Sequence, residues 1–226
     1  MAYRETEKMR KRKAEARQRI LTCAYECVAY SGFRSARVTT IATQAGVATG
    51  TIYRHFESKE DLFAEIFRLA TQREVDKVAE ALATRGNATA RLEAALRQFA
   101  ERALRGPVMA WSLIAEPVDP KVEVERLKYR KAYAELFEQA ISEGMEEGCI
   151  PQQDAGQSST CLVGAIAESL VGPLSPVQSD ARQKPGNEPE PDNNDNNDNN
   201  DNNDNNDPLV NAIIRFCMQG LTGTRR

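Results

Sequence analysis

Thr49, Gly50, Thr51, Tyr53, Arg54 and His55 gather two hydroxyls, a phenol, a guanidinium and an imidazole around one bare glycine. This set suits recognition better than bond-making. Hydroxyls and a guanidinium donate to base edges and phosphate oxygens, and an arginine can bind guanine O6 and N7 bidentately. A glycine lets the backbone itself come close to a partner. Lys59, a few residues on, adds a cation where the next helix begins and an anion is favoured.

The elements that must hold these residues are legible in residues 37–62, RVTTIATQAGVATGTIYRHFESKEDL. Ile41, Ala42 and Ala45 give a first short segment one apolar face, Gly46 supplies a tight turn, and Val47 and Ile52 close the small core from a second segment. That spacing predicts a helix-turn-helix with its polar residues outward. A preceding helix is expected from near Lys13 to Tyr30, burying Ile20, Ala24, Cys27 and Val28 and stopping at Ser31-Gly32, with Phe33 plugging the three-helix core. Ser58 and Asp61 read as a capping box opening a long helix that runs to about Ala83.

Charge separates the chain into two parts. Residues 1–59 hold 12 Lys and Arg against 5 Asp and Glu, and the remainder holds 18 against 28, although the net charge is only -3. A basic head is the footprint of a phosphate-binding surface, and an acidic body is repelled by one. The run KMRKRKAEARQR at 8–19 is either a solvated helix face or a strip skirting phosphates; its place directly before the helix-turn-helix favours the second.

No apolar run approaches the roughly 20 residues of a membrane span, and the polar, basic N-terminus has no apolar core behind it, so a cytoplasmic protein is expected. The five cysteines, 23, 27, 149, 161 and 217, show no CxxC spacing, and His55 is the only histidine. No metal, cofactor or catalytic set is expected. Helices are also read over ATARLEAALRQFAERAL, VMAWSLIAE, Pro120 to about Glu147, 160–171 and 209–221, with no strand pattern. Residues 175–208, with DNN repeated five times from Asp192, are too polar to bury and read as a flexible linker.

Residues 17–67 resemble the DNA-binding head of the tetracycline repressor (TetR) family of bacterial transcription regulators. The resemblance is carried by Ile20-Leu21, Ser31-Gly32-Phe33, Ile41-Ala42, Ala45-Gly46-Val47, Gly50-Thr51-Ile52-Tyr53, His55-Phe56 and Lys59-Glu60-Asp61-Leu62. It implies an all-α chain: a three-helix helix-turn-helix DNA-binding head with a basic extension at 1–59, then a larger helical effector-binding and dimerisation domain at 60–226. It implies that Thr49 and Gly50 approach base edges, that Tyr53 packs along the backbone and reaches phosphate, and that Arg54 occupies a variable, base-reading position. Thr51, His55 and Lys59 resemble phosphate contacts, and Thr39 and Thr40 are candidate groove or backbone contacts. For His55 a purely structural role is the alternative. Two departures stand out: Arg37 and Ala48 replace the Ser or Thr with which the family begins the two motif helices. Ser35 or Thr49 is then expected to supply a cap, and Arg37 a charged phosphate contact.

In the body, the candidate effector lining is Phe99, Met109, Trp111, Leu113, Tyr129, Tyr133, Phe137, Cys161 and Leu162, each equally at home in a plain core. The expected partners are a double-stranded palindromic operator, a small-molecule effector, and a second copy through 157–171 and 209–221. The implied mechanism is ligand-driven release, in which the long helix after Lys59 tilts and changes the separation of the two recognition helices. Other readings open to the sequence are a low-specificity DNA-binding structural protein, an activator on the same scaffold, and a weak redox sensor at Cys23 and Cys27.

Overall fold

The computed structural model describes residues 7–176 and 207–223. Among them the ordered elements are helical: α1 (Glu7–Ser35), α2 (Val38–Gln44), α3 (Thr49–Ile52), α4 (Lys59–Leu82), α5 (Ala88–Arg105), α6 (Pro107–Ile114), α7 (Pro120–Glu146), α8 (Ala155–Leu174) and α9 (Pro208–Thr222). The fold is all-α, with small N-terminal helices and a larger helical bundle behind them. Most of the linker read at 175–208, including nearly all of the Asp/Asn repeat, lies outside the described residues, as do residues 1–6. The last aspartate of that repeat, Asp207, is described, and its carboxylate accepts from the amides of Leu209 and Val210 to cap α9.

Helix α1 begins earlier than the sequence suggests, because its polar, basic first turns propagate from an apolar centre that packs well. It breaks where expected. Gly32 takes φ 77, ψ 171, a conformation that side-chain-bearing residues avoid, and a further turn containing Phe33 follows. Phe33 is buried and meets the rings of Phe63 at 5.5 Å and Phe67 at 6.1 Å. Helix α4 opens on Ser58, whose hydroxyl accepts from the Asp61 amide at 3.1 Å. The expected reciprocal half is replaced: the Asp61 carboxylate accepts from the Ser58 hydroxyl and from Lys121 of α7 instead.

Two apolar clusters organise the molecule. The first joins Ile20, Ala24, Val28, Phe33, Ile41 and Ile52 to Leu62, Phe63, Ile66 and Phe67 of α4 and to Val122 of α7. The head's core therefore continues past residue 59 and shares α4 with the body. The second gathers α4 beyond Val78 with α5, α7, α8 and α9, including Leu92, Leu96, Ile141, Ile166 and Leu170. Each of these side chains contributes about 1.5–3 kcal/mol by leaving water.

Val210, Ile213, Ile214, Cys217, Met218 and Leu221 of α9, whose stripe suggested association, are buried against the chain's own body. Their wide spacing serves the intrachain core first. What α9 leaves outward is the opposite face, with Ala212, Arg215 and Phe216 exposed; Phe216 is 68% accessible. On α8, Cys161, Gly164 and Glu168 are exposed, and Gly164 has nothing within 4 Å of where a Cβ would stand.

Candidate nucleic-acid interface and ligand cavity

The helix-turn-helix is held by a small dry core and a tight backbone turn. Ile41 and Ile52 are fully buried, Gly46 sits at φ 65, and the amides of Gly46 and Val47 donate to the carbonyls of Thr43 and Ala42. Only Thr49–Ile52 is α-helical in the second segment; Arg54 and His55 continue it through tighter bonds to the carbonyls of Thr51 and Ile52. Neither motif helix has a side-chain cap: Arg37 and Ala48 occupy the N-cap positions in extended conformation, and neither Ser35 nor Thr49 substitutes. Ser35 ends α1, and Thr49 is already inside α3, one residue too far along to receive the amides a cap must reach.

Arg37, Thr39, Thr40, Gly50, Tyr53 and Arg54 are exposed, and Thr49, Thr51, His55 and Lys59 are half-buried. A Cβ on Gly50 would meet nothing within 4 Å. Helix α1 adds cations beside this surface. Lys13 and Arg17 act on His55, whose imidazole is held below the usual range by burial first and by those two charges next. The Arg17 guanidinium lies over the Phe56 ring at 4.9 Å and pairs with Glu65, while the Lys59 ammonium lies 4.9 Å over Phe63 at the start of α4. The arrangement is a polar, basic surface with one bare backbone position, suited to a groove and its flanking phosphates.

Behind the head lies a cavity of about 250 Å³. Its walls are Tyr25 of α1, Thr71 and Glu74 of α4, Phe99 and Arg102 of α5, Met109, Ala110, Leu113 and Ile114 of α6, Arg126, Tyr129, Arg130, Tyr133 and Phe137 of α7, and Val163, Ile166 and Ala167 of α8. Six expected lining residues face it: Phe99, Met109, Leu113, Tyr129, Tyr133 and Phe137. Trp111, Cys161 and Leu162 do not. Helix geometry is the reason. At about 100° per residue, Trp111 turns away from the Met109–Leu113 face into the body cluster, Cys161 points to solvent, and Leu162 is core.

The cavity also holds polar groups beyond the two tyrosines that the sequence offers. Glu74 and Arg102 form a bidentate pair, both bonds 2.7 Å, which holds the Arg102 guanidinium above its usual range. Burial pushes the Tyr133 phenol up, and its ring packs edge-on against Phe99 at 5.6 Å. The buried Thr71 hydroxyl has no hydrogen-bond partner. Arg126, Tyr129, Arg130, Tyr133 and Phe137 lie on one face of α7, so a charged residue at helical spacing among aromatics was the available signal.

A model of the bacterial regulatory proteins of the tetR family matches residues 20–66, and the helices just described carry that match. Over that stretch the chain is similar to the tetR family. The chain is 24% identical over 164 residues to the fatty acid metabolism regulator protein of Bacillus subtilis (strain 168), covering 71% of this chain and 84% of that one. It is 29% identical over 140 residues to the transcriptional repressor KstR2 of Rhodococcus jostii (strain RHA1), covering 60% of this chain and 68% of that one. Its fold matches the crystal structure of the transcriptional regulator FadR from Bacillus subtilis in complex with stearoyl-CoA at a TM-score of 0.66 and 20% identity, over 90% of this chain and 98% of that one. Among the described residues, no helix is long and apolar enough to cross a membrane, and no cluster of His, Cys, Asp and Glu could hold a metal ion.

Proposed function

We propose that the protein is a homodimeric repressor that binds a palindromic DNA operator through two major grooves and leaves it when an amphipathic anion enters the cavity. The observation that carries this reading is Gly50: an exposed helical glycine with nothing within 4 Å of where a Cβ would stand, near exposed Tyr53 and Arg54, is not required by the packing of its own fold and suits close approach of a partner. Thr49 and Gly50 then approach base edges, Arg54 reads a base, and Thr51, Tyr53, His55 and Lys59 hold phosphates. Arg37, Thr39 and Thr40 border the same groove from α2. Two copies meet through the outward faces of α8 and α9, where Gly164 permits close approach and Phe216 offers apolar area.

The effector's class is argued from the cavity. Apolar walls from Phe99, Phe137, Val163 and Ile166 suit a hydrocarbon portion, and Arg126 and exposed Arg130 suit an anionic end. Stearoyl-CoA, held by the Bacillus subtilis FadR structure, is an anion with an acyl chain and supports that class. Selection of duplexes from a random pool by the purified protein tests the function: a palindromic consensus is expected, and equal affinity for random duplex with a steep salt slope would replace it with low-specificity binding.

A further inference from the structure

The segment that ends α6 touches both the cavity and the head. Glu116 is 6% exposed, and its carboxylate accepts the backbone N–H groups of Phe33 and Arg34, each at 2.9 Å. Those amides open the turn that follows the break at Gly32, so the turn itself offers them no carbonyl. The glycine and the carboxylate fit each other: a Cβ on Gly32 would stand 2.9 Å from Glu116 Oε1. A charged acceptor shared by two amides is a strong, directional cap.

Arg126 holds the same segment from the cavity side. It is 7% exposed, and its guanidinium donates to the carbonyls of Leu113 at 3.0 Å, Ser112 at 3.2 Å and Glu116 at 2.7 Å. It lines the cavity beside Met109 and Leu113, which form the wall that α6 contributes. Helix α6 is thus clamped between a ligand site and a cap on the head. A ligand that displaces this wall, or draws the Arg126 guanidinium toward an anion, takes donors away from three carbonyls of one short segment. Orphaned buried carbonyls are unfavourable, so the segment must move to regain partners.

We propose that Arg126 and Glu116 are the positioning residues through which an occupied cavity shifts the head. Displacement of Ser112–Glu116 withdraws the Glu116 carboxylate from Phe33 and Arg34, and the turn leading into α2 loses its anchor to the body. The trigger rests on the effector reading given above; the mechanical link lies in the chain's own hydrogen bonds and can be tested without any ligand.

The test is residue-resolved amide hydrogen exchange on the full chain, with E116Q, R126K and R126M. E116Q is expected to speed exchange at Phe33 and Arg34 by about tenfold, the loss of one charge-assisted hydrogen bond. Both Arg126 variants are expected to speed the same two amides although Arg126 touches neither, with Leu96 and Ala100 in the body core unchanged. R126K keeps the charge and so guards against a variant that fails to fold. Native rates at Phe33 and Arg34 in R126K and R126M, or equal acceleration across the body core, would overturn the relay. Dodecanoate serves as the ligand probe, its binding followed by Trp111 fluorescence. Binding with faster exchange at Phe33 and Arg34 supports the relay, and binding without it overturns the relay. Failure of dodecanoate to bind counts against the effector class alone, and the Arg126 variants still decide the relay.

Discussion

At the scale of single residues, Gly50 separates the needs of folding from the needs of binding. Glycine within a helix is less favourable than alanine by roughly 1 kcal/mol. Space for the extra methyl is available. Gly50→Ala is therefore expected to raise stability by up to about 1 kcal/mol in denaturant unfolding while lowering affinity for the selected duplex at least tenfold. Equal DNA affinity would remove Gly50 from the interface. His55 gives a second division. Because burial and the charges of Lys13 and Arg17 lower its folded pKa, the unfolded chain takes up the proton first. Stability is thus fully present above about pH 6.5 and falls as pH drops through that value. A phosphate beside His55 reverses the sign for binding, so duplex affinity should rise between pH 7 and 5.5. A flat affinity profile in His55→Gln, measured by anisotropy beside the native chain, checks the binding sign, and denaturant unfolding of both chains over the same pH range checks the stability sign.

The residues of the head were legible because they are contiguous: one short stretch carries the apolar face, the turn and the outward polar row. The cavity's polar groups were not. Glu74 and Arg102 lie on different helices, and only packing of α4 against α5 makes them a pair. Phe99, Tyr133 and Phe137 were readable as apolar faces, whereas distinguishing Trp111 and Leu162 from them requires knowing how each helix is rotated about its axis.

At the scale of elements, capping explains both what the sequence disclosed and what it withheld. The starts of α4, α5 and α8 carry Ser58, Asn87 and Asp154, each accepting an amide of its own first turn. Pro107 and Pro120 similarly mark the starts of α6 and α7. Helix α1 was harder: its first turns lack an apolar pattern, and the Gly32 break leaves a further turn whose first amides are capped by a distant carboxylate, Glu116. The uncapped α2 and α3 owe their shape to the buried faces of Ile41 and Ile52. Ala48→Ser restores a hydroxyl at an N-cap already extended at φ -69, ψ 146. It should stabilise the chain by about 1 kcal/mol, seen as a higher thermal midpoint. No change would mean that the head's core alone fixes α3.

At the scale of the whole molecule, reading an operator needs two heads at a fixed separation, and in the proposed dimer that depends on α8 and α9. Their inward stripes are committed to the body, so the proposed pairing uses their outward faces. Phe216→Asp places a charge on the exposed face of α9 without touching the core and is expected to give a folded monomer by sedimentation. Its affinity for a two-half-site duplex should fall at least a hundredfold, since the second head no longer binds as part of one molecule. A native-like dimer would move the interface elsewhere.

The central claim is that the residues from Thr49 to Lys59 read bases and phosphates twice over. The most direct measurement compares native chain and Arg54→Ala on the selected duplex and every single-base-pair variant of it. The account predicts that Arg54→Ala erases about 1–3 kcal/mol of discrimination at one base pair in each half-site, symmetrically, and leaves preferences elsewhere intact. A uniform loss across all positions, or no loss at all, would contradict it.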